Sequence, residues 1–414
     1  MYPQINPKIS KFIDYTLIFF PIALILGSPA VNFYLISFSI IFIYISLNYR
    51  FFNWLDVVWI KVFLIFWAYL IINSFFANDF FNSFRGSFSL IRFLLFSLLI
   101  GFFGFKFLDI KKITKYWLII ILFVSIDLWI QFFFGKDLFG IETRTNRLSG
   151  PFGDELIVGS FIWKITMCIM PYIFYKLLDV SFSKLKKYLG IILFLIVSVL
   201  ITGERMSFLM YVFYFTLFFS LFLLNKKNSK RLLIFFSIFI LLFSFFVSKV
   251  EIVKKRYFEL FDIVSNFHGS SYGKLFVSGF ELWKKNPING VGVKNFRIEC
   301  DIQLENRDPF QHPLCSTHPH NLYLEILSET GLIGISLFLI FLFLIYKFFL
   351  NNMSKKSSET RFITYALIIS FTTIIWPIST SGSFFTTWNG SFYWLFLGLL
   401  ISNNYLIFSK DKIC

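Results

Sequence analysis

Residues 321–350 read NLYLEILSETGLIGISLFLIFLFLIYKFFL, a mostly apolar run in which the only charged residues are two glutamates and one lysine. A helix crosses the bilayer core, about 30 Å thick, with roughly 20 apolar residues, and this run is long enough to do so. Similar runs recur along the chain. The sequence therefore predicts an all-α polytopic membrane protein with about twelve transmembrane helices, near residues 13–28, 30–47, 57–76, 87–105, 113–134, 156–178, 187–202, 206–224, 232–248, 321–350, 362–377 and 388–408.

The composition agrees with a membrane protein and excludes a soluble nucleic-acid-binding protein. The 414 residues carry a formal net charge of +16, which in a soluble protein would indicate nucleic acid as a partner. However, 57% of the residues are hydrophobic and only 15% are charged, with a mean hydropathy of +0.73. A soluble domain carries about 25% charged residues, so lipid is the solvent for most of this chain.

The positive charge is distributed unevenly over the predicted loops. One alternating set of loops and tails holds 21 basic and five acidic residues, whereas the other set is short and uncharged or mixed in sign. Cytoplasmic loops of membrane proteins carry an excess of Lys and Arg. We therefore expect an even number of helices with both termini in the cytoplasm.

Two segments on the predicted outer face, 135–155 and 249–320, are too long for simple connections. The longer one has apolar residues at helical spacing, which predicts amphipathic helices that lie on the membrane surface. It divides the chain into a membrane domain of nine helices (1–248), a partly helical periplasmic loop (249–320) and a membrane domain of three helices (321–414). Cys300 and Cys315 both lie in this loop, where we expect a disulfide; the alternative is two unpaired thiols.

The first polar group precedes the sixth predicted helix and runs from Arg144 to Glu155, with the sequence RTNRLSGPFGDE. Arginine binds phosphate well because its planar guanidinium donates two parallel hydrogen bonds. Arg147 is thus a candidate phosphate ligand. In the simpler interpretation, Asp154 and Glu155 only favour the start of a helix, and the arginines contact lipid headgroups.

The second polar group, Thr202-Gly203-Glu204-Arg205-Met206-Ser207, separates two apolar runs. Gly203 permits a turn, and it places Arg205 at the outer boundary of the membrane. Arg205 either extends only its charged end towards water or joins Arg147 in a patch that faces a diphosphate.

The third polar group lies where the chain enters the tenth predicted helix. Three of the four histidines in the chain, His312, His318 and His320, fall within nine residues. Histidine and cysteine together raise the possibility of a zinc site, but the spacing fits no usual ligand pattern. Neutral histidine followed by Glu325 and Glu329 fits proton transfer better, and a capping segment at the interface is the alternative.

The run HPHNLYLEILSETGLIG (318–334) resembles the signature of the O-antigen ligase and O-antigen polymerase superfamily. WKKNPINGVGVKNFR (283–297) is similar to that family's loop motif, and Gly203-Glu204-Arg205 resembles its helix end that bears an arginine. The resemblance implies a metal-independent glycosyltransferase of the bacterial inner membrane, with its active site facing the periplasm and no cofactor. The implied donor is a glycan linked to undecaprenyl diphosphate. The implied acceptor is lipid A–core for a ligase, which we expect, or a second lipid-linked repeat unit for a polymerase.

The resemblance also implies roles for individual residues. Catalysis would fall to His320, which orients or deprotonates the acceptor hydroxyl, with Glu325 or Glu155 as second choices. Substrate binding, to the donor diphosphate or the acceptor, would involve Arg147, Arg205, Arg297, His318 and Asn321.

A transporter or flippase is the main alternative from another class of protein. Such a protein places ionisable residues near the bilayer midplane, and here only Asp127 and Lys164 are possible examples. A purely structural scaffold would not account for the histidines. An enzyme is therefore the preferred prediction.

Overall fold

The computed structural model describes residues 3, 5–143, 147–177, 182–223, 229–304, 314–351, 353 and 356–404. Within these ranges the chain forms α-helices and short 3₁₀ turns, and its only β-structure is an isolated bridge between Lys136 and Glu142. The helical prediction is confirmed. The α-helices are α1 Pro7–Leu26, α2 Ser28–Asn48, α3 Val58–Asn73, α4 Phe80–Ser89, α5 Ile91–Phe103, α6 Ile110–Phe134, α7 Val158–Leu177, α8 Phe182–Ile201, α9 Arg205–Leu223, α10 Ser229–Lys249, α11 Glu251–Ser265, α12 Ser271–Lys285, α13 Phe296–Leu304, α14 Leu322–Leu350, α15 Ser358–Ile374 and α16 Thr387–Asn404.

Seven helical segments in the described ranges are long and apolar enough to cross a membrane: Pro7–Leu26, Ser28–Asn48, Val58–Phe76, Phe80–Phe103, Ile110–Phe134, Val158–Tyr175 and Leu322–Leu350. The chain is thus a multi-pass membrane protein by this criterion. The other five predicted spans coincide with α8, α9, α10, α15 and α16, whose crossing of the membrane stays a prediction. The orientation of the termini also stays a prediction.

The long segment before α14 is more helical than its sequence predicts. The two amphipathic patterns correspond to α11 and α12, and a third helix, α13, follows. The structure joins Cys300 of α13 to Cys315 in a disulfide, with their Cα atoms 5.7 Å apart. This bond ties α13 to the stretch that leads into α14. The periplasmic location and the domain boundaries at 248 and 320 are not tested by these contacts and stay predictions.

The apolar run that suggested a single helix is broken at Gly331, whose φ of 64° is non-helical. The loop after α12 crosses α14 at this break, where the N–H of Gly292 donates to the Glu329 carbonyl at 2.8 Å. The freed carbonyl of Thr330 accepts a hydrogen bond from the Tyr69 hydroxyl at 2.7 Å. Broken helices are tolerated at membrane depth when neighbours pair the exposed backbone groups, as they do here.

Helix α16 lies in the core of the protein and fixes the position of the loop before it. The Trp394 ring is 4.8 Å from that of Phe63 on α3 and 6.1 Å from that of Phe341 on α14, measured between centroids. The preceding loop, residues 375–386, is thereby held beside the start of α14. This loop positions the site described next.

Candidate functional site

His318 is a buried, anchored histidine just before α14. Its Nε2–H donates to the Ser381 carbonyl at 3.2 Å, so its Nδ1 is unprotonated and accepts from the Thr317 hydroxyl at 2.9 Å. Burial, and then the charges of His320 and Arg297, lower the pKa of His318 to about 4. The imidazole is therefore neutral at neutral pH, and both its nitrogens have protein partners.

His320 differs from its neighbour in having a free imidazole. Its ring lies 4.2 Å from that of His318 and 6.2 Å from that of Tyr272, centroid to centroid. Burial lowers the pKa of His320 as well, although the side chain is only half-buried. In the part of the chain that the structure describes, neither nitrogen of this ring makes a hydrogen bond. His320 also adopts a left-handed φ of 54°, a strained conformation that concentrates at functional sites.

Asn321, predicted to bind substrate, uses its side chain to cap α14. Its Oδ1 accepts from the N–H groups of Tyr323 and Leu324 at 3.0 and 3.1 Å, and its Nδ2 donates to the Pro377 carbonyl at 2.7 Å. These contacts occupy both ends of the amide. They indicate a positioning role that links α14 to loop 375–386.

Loop 375–386 organises the site mainly through its backbone. Its Ser381 N–H donates to the His320 carbonyl at 2.9 Å. The Phe384 N–H donates to the carboxylate of Glu325 at 2.8 Å. Sequence reasoning treated this segment as a simple connection because it carries no charge. Only its proline and small polar residues hinted at a structured loop.

A buried glutamate one turn further along α14 fixes the loop after α12. The carboxylate of Glu329 accepts from the N–H groups of Lys294 at 2.8 Å and Phe296 at 3.4 Å. Glu325 and Glu329 thus hold two different loops beside the histidines. Both carboxylates are almost completely buried.

Arg147, Arg205 and Arg256 form the arginine cluster. Glu259 Oε2 lies 3.5 Å from Arg205 Nη1 and 3.3 Å from Arg256 Nη1. The charges of Arg147 and Arg256 both act on Arg205. Arg147 donates through Nη2 to the Leu156 carbonyl at 2.8 Å. Its Nε and Arg205 Nη1 are buried and make no hydrogen bond to the described residues. The cluster thus has guanidinium donors to spare for an anion.

Glu204 fastens the arginine-bearing turn to the start of α7. Its carboxylate accepts from the N–H groups of Gly159 at 2.7 Å and Ser160 at 3.1 Å, and from the Ser207 hydroxyl at 2.7 Å. Burial raises the pKa of Glu204, while the hydrogen bond from Ser207 and the charge of Arg147 lower it. A carboxylate at a helix N-terminus is favourable. Glu204 is thus a structural anchor that the sequence motif contained without revealing its role.

Tyr272 connects the arginine cluster to the histidine pair, because it lies within electrostatic range of Arg205 and in ring contact with His320. Sequence reasoning missed both Tyr272 and Arg256. They lie on the surface helices α12 and α11, in patterns that indicated only amphipathic helices. The signal available in the sequence was the helical spacing of Tyr257 and its apolar neighbours on α11. This spacing determines where the adjacent Arg256 lies on that helix.

Several predicted residues lie elsewhere. Glu155 is exposed, and its backbone N–H donates to the Phe152 carbonyl at 3.2 Å. Arg297 is exposed on α13, within electrostatic range of His318 and Glu325. Arg144 and His312 lie outside the described residues. Cys315 is bonded to Cys300 and is therefore unavailable as a metal ligand.

Comparison with known families identifies the segment that contains most of this site. The sequence profile described as O-Antigen ligase matches residues 190–339, which include the histidine pair, Arg205 and Arg256 but neither Arg147 nor loop 375–386. Comparison with curated proteins found no match. This match confirms the resemblance of the chain to the O-antigen ligase and O-antigen polymerase superfamily.

Proposed function

We propose that this protein transfers a glycan from undecaprenyl diphosphate to an acceptor hydroxyl at the periplasmic face of the inner membrane, with lipid A–core as the acceptor. The observation that supports it best is the free, neutral imidazole of His320, which Tyr272 links to the arginine cluster by a ring contact with His320 and by its electrostatic range to Arg205. A neutral imidazole accepts a proton, and guanidinium groups bind a diphosphate. Together, these groups supply the proton acceptor and the anion-binding donors that transfer from a lipid diphosphate requires.

The proposed step is a displacement at the anomeric carbon of the donor glycan. The acceptor oxygen forms a bond to the anomeric carbon of the donor glycan as the bond from that carbon to the diphosphate oxygen breaks. The acceptor proton passes to the free nitrogen of His320. The lipid diphosphate leaves with the bonding electron pair, and its charge is stabilised by Arg147 and Arg205. Electrostatic stabilisation of this kind is usually the largest contribution to catalysis.

His318 then serves to position its neighbour rather than to react. Both its nitrogens are occupied by Thr317 and Ser381, and it packs against the His320 ring. Glu325 takes a similar positioning role, because its carboxylate holds the N–H of Phe384. Glu155 remains a weaker candidate for catalysis, since it is exposed and has no contact with the histidine pair among the described residues.

The proposal is tested by deleting the gene and separating the lipopolysaccharide on a gel. Loss of long-chain material with accumulation of lipid-linked polymer is expected for a ligase, and core carrying a single repeat is the pattern of a polymerase. Wild-type protein restores the normal pattern, and His320→Ala inserts in the membrane without restoring it. Unchanged lipopolysaccharide in the deletion strain would contradict both forms of the proposal.

A further inference from the structure

A second group of basic residues lies near the histidine pair and has no role in the proposed donor site. Arg85 on α4, Arg92 on α5, Lys294 in the loop before α13 and Arg297 on α13 form this second basic cluster. Four different parts of the fold bring them together, so that the charges of Arg85, Arg92 and Arg297 all act on Lys294. Arg85 and Arg297 are exposed, whereas Arg92 and Lys294 are half-buried.

Contacts with the backbone and with neutral groups fix the two half-buried cations. The Lys294 side chain lies against Gly86 of α4, where its Cδ is 3.2 Å from the position that a Cβ on Gly86 would occupy. Lys294 itself has a left-handed φ of 63°. Arg92 donates through Nη2 to the Thr387 hydroxyl at 3.2 Å, and its buried Nε makes no hydrogen bond within the described ranges.

The cluster carries more positive charge than its surroundings neutralise. In the described part of the chain none of its four side chains forms an ion pair with a carboxylate. The nearby carboxylates of Glu325 and Glu329 are two against four cations, and each accepts hydrogen bonds from backbone N–H groups. Burial, and then the neighbouring arginines, lower the pKa of Lys294, and the charge of Glu329 opposes them only in part.

The histidine pair has a contact or an electrostatic interaction that leads towards each of the two basic groups. On one side, His318 is within electrostatic range of Arg297 of the second basic cluster. On the other side, His320 contacts Tyr272, which is within range of Arg205 of the arginine cluster. An acceptor whose hydroxyl meets His320 while the donor diphosphate occupies the arginine cluster would place its remaining groups towards the second cluster.

We propose that Arg85, Arg92, Lys294 and Arg297 form an acceptor-binding site for a phosphate group. This inference rests on the proposed function and adds the chemistry by which the acceptor is recognised. Phosphate is the shared chemistry of two sources, a phosphorylated lipid A–core and a second lipid-linked diphosphate. The experiment below distinguishes the two sources.

The test measures equilibrium binding to the full chain in nanodiscs. The probes are phosphorylated lipid A–core, the same molecule after phosphatase treatment, and a lipid-linked diphosphate repeat unit. The double variant Arg92→Gln, Lys294→Gln removes the two half-buried cations. The single variant Arg85→Gln changes an exposed residue and is the milder perturbation. The control is Lys284→Gln, because Lys284 lies on the neighbouring helix α12 and pairs with Glu281 at 3.0 Å.

With lipid A–core as the source, the double variant raises the Kd of the phosphorylated probe about 100-fold, Arg85→Gln raises it several-fold, and the dephosphorylated probe is unaffected. With a second lipid diphosphate as the source, wild type binds two repeat units per chain and the double variant binds one. Wild-type binding of every probe by the double variant would overturn the inference. If the variants change binding as expected but the wild-type protein transfers no glycan, the proposed function is overturned instead.

Discussion

Replacing Arg205 by Gln tests the arginine cluster with little risk to the fold. The Arg205 side chain is 14% exposed, and its ionic partner Glu259 is 40% exposed. Glu259 keeps a second partner, Arg256, at 3.3 Å. Because Glu259 is partly exposed and keeps Arg256 as a partner, the change leaves no buried, unpaired carboxylate, and the free energy of unfolding should change little.

The expected loss of activity is much larger. Arg205 Nη1 is buried and makes no hydrogen bond to the described residues, its contact with Glu259 being an ion pair at 3.5 Å, so we assign its hydrogen-bond donor to the departing diphosphate. One charge-assisted hydrogen bond is worth about 1.5–3 kcal/mol, and each 1.36 kcal/mol in the activation free energy is tenfold in rate. Arg205→Gln should therefore lower kcat/KM for the lipid-linked donor roughly 10- to 150-fold.

The assay is glycan transfer by purified protein in nanodiscs over a series of donor concentrations, with thermal unfolding measured in parallel. Lys255→Gln is the matched control, because it removes one positive charge from an exposed position on α11 next to Arg256. This control should retain wild-type kcat/KM. An Arg205→Gln enzyme within twofold of wild type, or an equal loss in the control, would refute the assignment.

Three further predictions concern the support of the site. Asn321→Ala removes the cap of α14 and should lower the free energy of unfolding by about 1–2 kcal/mol, which is measured as a lower thermal midpoint. Asn321→Asp keeps the accepting oxygen and should lose less stability, so equal losses in the two variants would contradict the capping role. Replacing both Cys300 and Cys315 by serine opens a loop with a sequence separation of 15 and should lower the free energy of unfolding by about 3 kcal/mol in the chain-entropy model. Limited proteolysis near α13 measures this loss, and unchanged resistance to the protease would contradict it. The pKa of His318 falls from 6.5 to about 4 on folding, so the unfolded chain binds more protons than the folded chain between these pH values. The contribution of His318 to stability is therefore fully present above pH 6.5 and is lost as the pH falls towards 4, and the free energy of unfolding should decline less over this range in His318→Asn.

The sequence predicted those parts of the fold that depend on local hydrophobicity. Apolar runs defined the helices within a few residues, as in α9 and α10, because lipid imposes a minimum length on each run. The break at Gly331 was not predicted, since hydropathy does not register one glycine in an apolar run. It depends on a crossing with the loop after α12 and on the hydroxyl of Tyr69, which is distant in sequence.

The site was predictable where one residue type carries the chemistry. Histidines clustered before α14 pointed to the reacting group, and Arg205 stood out as a charge at the end of an apolar run. Only the family resemblance gave His320 rather than His318 the catalytic role. The spacing of the histidines could not show that His318 is anchored and His320 free, because that difference arises from Ser381 in a loop 63 positions away. Lys294 and Arg92 were missed for the same reason, since they meet only after the helices pack.

The central claim is that the free imidazole of His320 takes the acceptor proton during glycan transfer. The most direct measurement is turnover of the His320→Gln protein with saturating lipid-linked donor and acceptor, beside the donor Kd of the same preparation. General-base catalysis contributes about 10²–10⁴-fold, so turnover should fall by at least 100-fold while the donor Kd stays within twofold of wild type. Undiminished turnover by a folded His320→Gln protein would contradict the claim.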